Sequence, residues 1–368
     1  MSIEIVLGFF FLVYYFVIFH LLLGFSKIKP FYISNLPSKT TFSIVVPFRN
    51  EKENLISLLD SISKLNYPTH LFEVILIDDF SDDGFQVPNC LFPIQVLKNA
   101  KKAISPKKEA IEKAIQCATN QWIITTDADC IVPKNWLNAF DESIQNNSYE
   151  MLAAPVQFQS GAGFLSAFQT LDFLSLQAAT VGSFGTKTPF MCNGANFAYT
   201  KKFFHSINGF SGNETIASGD DVFLLQKAVA ACPEKVAFLL ANDAVVTTEL
   251  KKNWSDLFQQ RLRWASKTSE FSSFYGKMLA VVVFFGNLAV LISVFLVVFN
   301  AFPIYLVIFY LALKIIIDSI LLFKMASFLS IKMHYFLLSS FFYPFFTVFI
   351  ALNVPFRSYT WKGRSYEK

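Results

Sequence analysis

The chain has 368 residues, 54% of them hydrophobic and 17% aromatic, with 44 Phe. Its mean hydropathy of +0.44 is too high for an ordinary soluble domain. The net charge is a modest +4, and no basic run is interleaved with stacking aromatics, which excludes a nucleic-acid groove.

Residues 3–25 are apolar apart from Glu4 and end at Lys27 and Lys29. About 20 such residues cross a bilayer. A signal peptide would show a basic leading segment, a shorter apolar core and a small-residue cleavage site, and none of these is present. Residues 1–26 therefore read as a retained membrane anchor. Residues 40–250 have ordinary polarity and are enough for one globular domain with its own core.

Within that domain, Thr41–Val46 is a β-rich run that stops at Pro47. Arg49, Asn50 and Glu51 follow, and Leu55, Leu58, Leu59 and Ile62 then recur at helical spacing. Phe72–Ile77 reads as a second buried strand, ending in Asp78 and Asp79 before the turn-forming Ser81–Gly84. Pro93–Leu97 is a third. Residues 106–118 open with Pro106, Lys107 and Lys108 and place Ala110, Ile111, Ala114 and Ile115 on one helical face. The apolar Trp122-Ile123-Ile124 begins a fourth strand, which runs into Asp127 and Asp129. Alternation along a strand would point these two carboxylates the same way. Such a pair can hold a divalent cation, and a hard cation with open positions can bind a diphosphate. An acidic pair at a strand end also fits a plain solvated loop.

This alternation predicts an α/β fold with a mixed, mostly parallel sheet. Ligands of such sheets sit beyond the carboxyl ends of the strands, so Arg49–Glu51, Asp78–Asp79 and Asp127–Asp129 should converge. There is no Gly-x-Gly-x-x-Gly or Walker loop, which excludes an evident dinucleotide fold or P-loop enzyme. Further on, 151–156 reads as a strand, 161–179 as a helix near the membrane, and Cys192–Tyr199 as a Gly-containing turn entering a strand. Gly219-Asp220-Asp221 opens a helix with Phe223, Leu224 and Ala228 on its inner side. The helix dipole alone would account for acids there.

Residues 251–275, around Trp254 to Lys267, read as an amphipathic interfacial helix. Residues 276–356 hold apolar segments at 278–299, 303–323 and 335–354, and 357–368 is a basic tail. Lys314 and Asp318 stand at i, i+4 inside an apolar segment and are expected to pair. Lys27 and Lys29 follow the first span, and Lys251, Lys252, Arg261, Arg263 and Lys267 precede the second, so the positive-inside rule puts the folded domain in the cytoplasm. With every segment crossing, the tail Arg357, Lys362, Arg364 and Lys368 would face outward. Segment 335–354 is therefore expected to break at Pro344 and bend back or lie along the interface. The five cysteines show no metal-ligand spacing and are expected to be reduced and buried.

The ordered set Pro47-Phe48-Arg49-Asn50-Glu51, Asp78-Asp79, Asp127-Ala128-Asp129, Gly219-Asp220-Asp221 and Gln260-Arg261-Leu262-Arg263-Trp264 resembles the family 2 glycosyltransferases of GT-A fold, in their integral-membrane branch. The likeness covers roughly residues 42–270, and the Gln-x-x-Arg-Trp element is its most specific part. It implies that Pro47, Arg49 and Glu51 line the nucleotide, and that Asp78 or Asp79 contacts base and ribose. Lys107 matches a lysine near the nucleotide, with Pro106 standing where the family carries Gly. Asp127 and Asp129 match the pair that holds Mg2+ or Mn2+ and the diphosphate. Gly194, Ala195 and Asn196 match a turn near the sugar. Asp221 matches the general base of a Glu-Asp pair; Asp220 replaces the Glu, and either acid is a candidate base. Gln260, Arg263 and Trp264 match the element that closes over the diphosphate and the acceptor channel. The tail Trp361-Lys362-Gly363-Arg364 resembles one found in lipid-glycosylating members.

The activity implied is an inverting transfer from a nucleoside-diphosphate sugar to a membrane lipid acceptor, at the cytoplasmic face of a bacterial inner membrane. In that chemistry the cation, aided by Arg263, neutralises the leaving diphosphate. Asp221 takes the proton of the acceptor hydroxyl, and Trp264 with the interfacial helix keeps water out. A processive polysaccharide synthase, a non-catalytic membrane scaffold and a transporter are the alternatives. The small number of apolar segments weighs against the synthase, the full set of acids against the scaffold, and a mutually neutralising Lys314–Asp318 pair against the transporter.

Overall fold

The computed structural model describes residues 3–99, 105–214, 216, 218–361 and 364–366. Its helices are α1 (Ile3–Lys27), α2 (Lys52–Ser63), α3 (Pro106–Cys117), α4 (Trp136–Asn146), α5 (Gly163–Gly185), α6 (Lys201–Ser206), α7 (Asp220–Ala231), α8 (Trp254–Ala265), α9 (Phe274–Val298), α10 (Ile304–Phe328) and α11 (Phe336–Asn353). Its strands are β1 (Phe42–Phe48), β2 (Phe72–Asp78), β3 (Ile94–Lys98), β4 (Trp122–Thr125), β5 (Cys130–Ile131), β6 (Met151–Ala153), β7 (Val156–Phe158), β8 (Phe197–Thr200), β9 (Val236–Phe238), β10 (Val246–Thr248), β11 (Tyr359–Trp361) and β12 (Arg364–Tyr366). They fall into two compact units, one of Lys29–Gln159 and Pro189–Glu249, the other of Met1–Ile28, Ser160–Thr188 and Leu250–Lys368.

The first unit is an α/β domain. Its main sheet has the order β3-β2-β1-β4-β8-β6-β9. The strands β3, β2, β1 and β4 are parallel, β8 runs antiparallel to β4 and β6, and β9 is parallel to β6. A smaller sheet joins β5, β10 and β7. β1 and β2 are almost unbroken apolar runs because a parallel strand is covered on both faces. α3 packs on both strands and buries Ala110, Ile111, Ala114 and Ile115. Pro106 at its first turn has no N–H to leave unpaired. Phe48 lies opposite Asp78, and Asp78 opposite Lys98, so the loops after β1, β2 and β3 leave from one edge.

Two local expectations change. β4 stops at Thr125, because its neighbour β8 begins only at Phe197, after the turn 194–196. The Cys130 N–H then donates to the Asp127 carbonyl at 3.2 Å. A turn, not strand alternation, therefore orients Asp127 and Asp129. The strand expected over 151–156 is split between β6 and β7, with Ala154 and Pro155 at the switch between sheets; proline cannot donate to a ladder. Cysteine burial is also uneven. Cys130 and Cys192 are buried, Cys90 and Cys232 are half-buried, and Cys117 is exposed, at the C-terminal end of α3.

The chain enters β1 through a segment held by two buried acids of α4. Glu142 accepts from the Ser34 N–H (2.6 Å), the Ser34 hydroxyl (2.9 Å) and the Leu36 N–H (3.0 Å). Asp141 accepts from the Lys39 N–H (3.1 Å) and from the Thr40 N–H (3.0 Å) and hydroxyl (2.5 Å). Each acid is 1% exposed. Such carboxylates stand in for a strand partner that the irregular segment lacks.

The second unit is helical. Among the described residues, α1, α9, α10 and α11 are long and apolar enough to cross a membrane. Their apolar side chains also face outward: Phe16 is 70% exposed, Leu337 71% and Val298 72%. Such a surface suits hydrocarbon better than water. α1 and α5 meet backbone to backbone, since a Cβ on Gly24 would lie 2.1 Å from the Gly182 carbonyl oxygen. Small residues permit this approach. The polar groups turn inward. Lys314 Nζ pairs with Asp318 at 2.6 Å, as expected, and the Tyr14 hydroxyl donates to Asp318 at 2.8 Å. The helix break expected at Pro344 is absent: α11 runs through that residue without interruption. In the tail, β11 pairs antiparallel with β12; Lys362, Gly363 and Lys368 lie outside the described residues.

Burial pushes the Glu142 carboxyl up, but the hydrogen bonds from Ser34 and Leu36 outweigh it and hold the group below the ordinary carboxylate value. A depressed folded value contributes stability above the unfolded value, about pH 4.3, and loses it as pH falls through the folded value. Glu142→Ala should cost about 2 kcal/mol at pH 7. The gap between wild type and variant should narrow as pH falls below about 4, as followed by melting temperature.

Candidate active site

The loops after β1 and β2 are laced together. Arg49 Nη1 donates to the carbonyls of Asp79 (2.7 Å) and Phe80 (3.1 Å), and Arg49 Nε is buried with no hydrogen-bond partner among the described residues. The Asn50 N–H donates to the Ser81 hydroxyl at 3.0 Å, and the Asp82 N–H to Asn50 Oδ1 at 2.9 Å. Asn50 and Phe80 both take left-handed backbone, with φ of 51° and 60°. That conformation is rare for a phenylalanine, and the arginine bond to its carbonyl helps hold it. Pro47 stands near the end of β1, opposite Ile77. Glu51 precedes α2 and accepts from Asn54 at 2.6 Å. Asp78 accepts from the Ser81 N–H at 2.8 Å, while Asp79 is 8% exposed and accepts from Asn99 at 3.1 Å. The two acids that the sequence could not separate therefore differ: one closes its own turn, the other is buried beside β3.

The next cluster is built on the first turn of α3. Lys107 Nζ lies 2.7 Å from Asp127 Oδ1 and 3.5 Å from Asp220 Oδ2. Burial would lower its affinity for a proton, but Asp127, Asp220 and Asp221 outweigh that and hold the ammonium well above the usual lysine range. Lys107, Asp127, Asp220 and Asp221 thus meet, although they are more than ninety residues apart at the extremes. Asp220 is buried and Asp221 half-buried at the start of α7. Gly219 precedes them with φ of 81°, a left-handed conformation that favours glycine.

Gly194 connects β4 to this acidic pair. Its carbonyl accepts from the Thr125 hydroxyl at 2.7 Å, and its N–H donates to Asp221 Oδ2 at 2.8 Å. Asp221 Oδ1 accepts from the Val222 N–H at 2.8 Å. Ala195 and Asn196 complete the turn, but Asn196 is wholly buried. Its amide donates to the carbonyls of Pro155 and Ala244 and its oxygen accepts from Trp136 Nε1. The side chain of Asn196 fastens the turn to the core.

Sequence reasoning missed Thr125 and Lys108. Lys108 is 2% exposed and donates to the carbonyls of Asn213 (2.6 Å) and Ile216 (3.0 Å), in the segment leading to Asp220. Burial lowers its pKa to about 8 against the opposing effect of Asp220 and Asp221. A signal existed: Lys108 shares a helical face with the apolar Ile111 and Ile115. Gln260, Arg263 and Trp264 lie on α8, in the helical unit. Trp264 there packs on Phe173, with ring centres 6.0 Å apart.

Asp127 and Asp129 flank a turn and offer hard oxygen donors. The neighbouring Cys130 thiol is buried, and burial together with Asp129 and Asp127 pushes it well above its usual pKa. Among the described residues no group of three or more His, Cys, Asp or Glu side chains could hold a metal ion. Two carboxylates are chemically suited to a hard divalent ion that takes further oxygen ligands from elsewhere.

A Cβ added at Gly194 would stand 3.2 Å from Asp220 Oδ2 and 3.3 Å from Asp221 Cβ. Gly194→Ala is expected to displace the acids and to cost about 1–3 kcal/mol, measured as a lowered melting temperature that Ala195→Gly does not match.

A family model described as "Glycosyl transferase family 2" matches residues 43–207. A "Probable glycosyltransferase" of Sulfolobus acidocaldarius is 24% identical over 270 residues, covering 64% of this chain and 51% of that protein. "Glycosyltransferase AglE" of Haloferax volcanii is 23% identical over 139 residues, covering 37% of this chain and 45% of that protein. The chain thus spans about half the length of these curated relatives. Among solved structures, the mannosyltransferase PcManGT from Pyrobaculum calidifontis, in complex with GDP-Man and Mn2+, superposes with a TM-score of 0.60 at 17% identity, over 96% of this chain and 98% of that one. The parallel sheet, the acids at its carboxyl edge and the family match agree: residues 43–207 are a family 2 glycosyltransferase domain in the GT-A fold, a domain of the glycosyl-transferring enzyme class.

Proposed function

We propose that the chain transfers one sugar, with inversion, from a nucleoside-diphosphate sugar to a lipid acceptor at the cytoplasmic face of the membrane that carries its helices. The observation that supports it most is the cluster of Lys107, Asp127, Asp220 and Asp221 at the carboxyl edge of the parallel sheet. Four apolar helices among the described residues, in the same chain as a transferase domain, favour a lipid over a soluble acceptor. The solved mannosyltransferase with GDP-Man and Mn2+ shares the fold and motivates the choice of donors and metal to try.

In this reading Asp127 and Asp129 hold Mg2+ or Mn2+, which supplies charge to the leaving diphosphate. Pro47, Arg49, Glu51, Asp78 and Asp79 line the nucleotide, and Gly194 and Ala195 the sugar. Asp221 is the base. It is half-buried, whereas Asp220 is buried with its carboxylate turned to Lys107. The acceptor oxygen attacks the anomeric carbon as its proton passes to Asp221, and the bond to the diphosphate breaks with its electrons leaving on oxygen. Gln260, Arg263 and Trp264 serve the diphosphate and the acceptor.

Purified full-length protein should gain thermal stability from one donor among UDP-N-acetylglucosamine, UDP-glucose and GDP-mannose in the presence of Mn2+. A donor at 100 times its Kd adds about 2.7 kcal/mol. Asp127→Asn should abolish the metal-dependent part of the shift. No shift with any donor, or a shift indifferent to Mn2+, would count against the reading.

With labelled donor and total lipid extract, Asp221→Asn should lower kcat by about 100- to 10,000-fold while the donor-induced shift survives. Asp220→Asn should weaken the Lys107 contact and lower the melting temperature more than Asp221→Asn does. Label recovered only in a water-soluble polymer would instead favour a processive synthase.

A further inference from the structure

The helix carrying Gln260, Arg263 and Trp264 is seated on α5 by a line of contacts. The Lys251 N–H donates to Gln169 Oε1 at 2.8 Å, and Gln169 Nε2 returns a bond to the Lys251 carbonyl at 3.0 Å. Trp254 packs on Phe168 with ring centres 5.3 Å apart. One turn further along α5, Asp172 accepts from Arg261 Nε, and both side chains are less than a tenth exposed. Positions 168, 169 and 172 share one face of a helix, so α5 presents an aromatic and a charge to α8 and an amide to the segment that leads into it.

Arg261 also bonds sideways to the motif. Its Nη1 donates to Gln260 Oε1 at 2.5 Å, and its guanidinium carbon lies 4.3 Å from the centre of the Trp264 ring. Nη2 is buried without a hydrogen-bond partner among the described residues. A lysine could meet Asp172 and leave no such orphan. What the arginine adds is a second donor for Gln260 and a flat cation against Trp264.

We propose that Arg261 and Asp172 form a positioning pair that sets Gln260 and Trp264 for the acceptor step. The proposal rests on the glycosyl-transfer reading for its kinetic consequence, and on the geometry alone for its effect on Trp264. Asp172 fixes the guanidinium, and the guanidinium fixes the amide and the indole. A buried pair of this kind is a weak source of net stability, whereas misplaced side chains at a reacting centre are costly to rate.

The test compares full-length wild type with Arg261→Lys and Asp172→Asn in lipid nanodiscs. Melting temperature, binding of UDP and GDP with Mn2+, and kcat and KM for lipid extract with the donor from the screen above are measured. Trp264 emission is taken as the difference between each protein and its Trp264→Phe counterpart. Asp172→Asn leaves a buried guanidinium unpaired and should melt lower. Arg261→Lys keeps the charge pair and should melt near wild type and bind the nucleoside diphosphate equally. Its kcat should nevertheless fall about 10- to 100-fold, with Trp264 emission shifted to the red. Wild-type kcat and emission in Arg261→Lys would overturn the proposal. So would a joint loss of melting temperature, nucleotide binding and kcat, which would make the arginine a support of the fold. A wild-type protein inactive with every donor would overturn the transferase reading instead, and the Trp264 emission would still decide the pair.

Discussion

Carboxylates gathered at one sheet edge repel one another, and the half-buried ammonium of Lys107 is what lets them stay. It touches Asp127 directly and Asp220 at longer range, and it feels Asp221. Like charges in a partly dry site would otherwise take up protons or move apart. The positive charge of Lys107 offsets that repulsion at the place where a divalent ion and a general base would both be sited. The same cation joins three parts of the chain: the start of α3, the turn after β4 and the start of α7.

That junction is reinforced by uncharged contacts. Thr125, the last residue of β4, holds the Gly194 carbonyl, and the Gly194 N–H holds Asp221. Lys108 and Ser105 hold the carbonyls of the segment before Asp220. The position of the half-buried acid is thus determined from two sides, by a strand end and by a helix start. Asn196 shows how a polar residue within such a turn can be structural. All of its hydrogen-bonding side-chain atoms are engaged in the core, and its neighbour Gly194 makes the contact with Asp221.

The helical unit inverts the usual distribution of polarity. Phenylalanines and leucines face outward, while Asp172, Arg261 and Lys314 are buried and Asp318 is half-buried. In hydrocarbon the outward face costs nothing and the inward charges must neutralise each other. Each of these four has a partner of opposite sign. Close backbone contact between Gly24 and Gly182 gives the bundle a tight seam where side chains would keep α1 and α5 apart.

Hydrophobic periodicity made the strands β1 to β4, the helices α2 and α3 and the four long apolar helices readable, because each pattern is local and repeats over several residues. The acids were readable as residue types at strand and helix ends. Their orientation was not: the strand alternation assumed for Asp127 and Asp129 does not apply, because β4 ends at Thr125 where its neighbour β8 begins at Phe197, a fact of pairing between distant segments. Pro344 failed as a helix breaker because an apolar helix can tolerate a proline when neighbouring groups compensate. The sequence by itself determined which segments are apolar, which form strands and helices, and where acidic and basic residues punctuate them. Only the tertiary structure decided which acid is buried against Lys107, which is half-exposed, and which polar side chains belong to the core, since burial and charge proximity are set by residues that are remote along the chain.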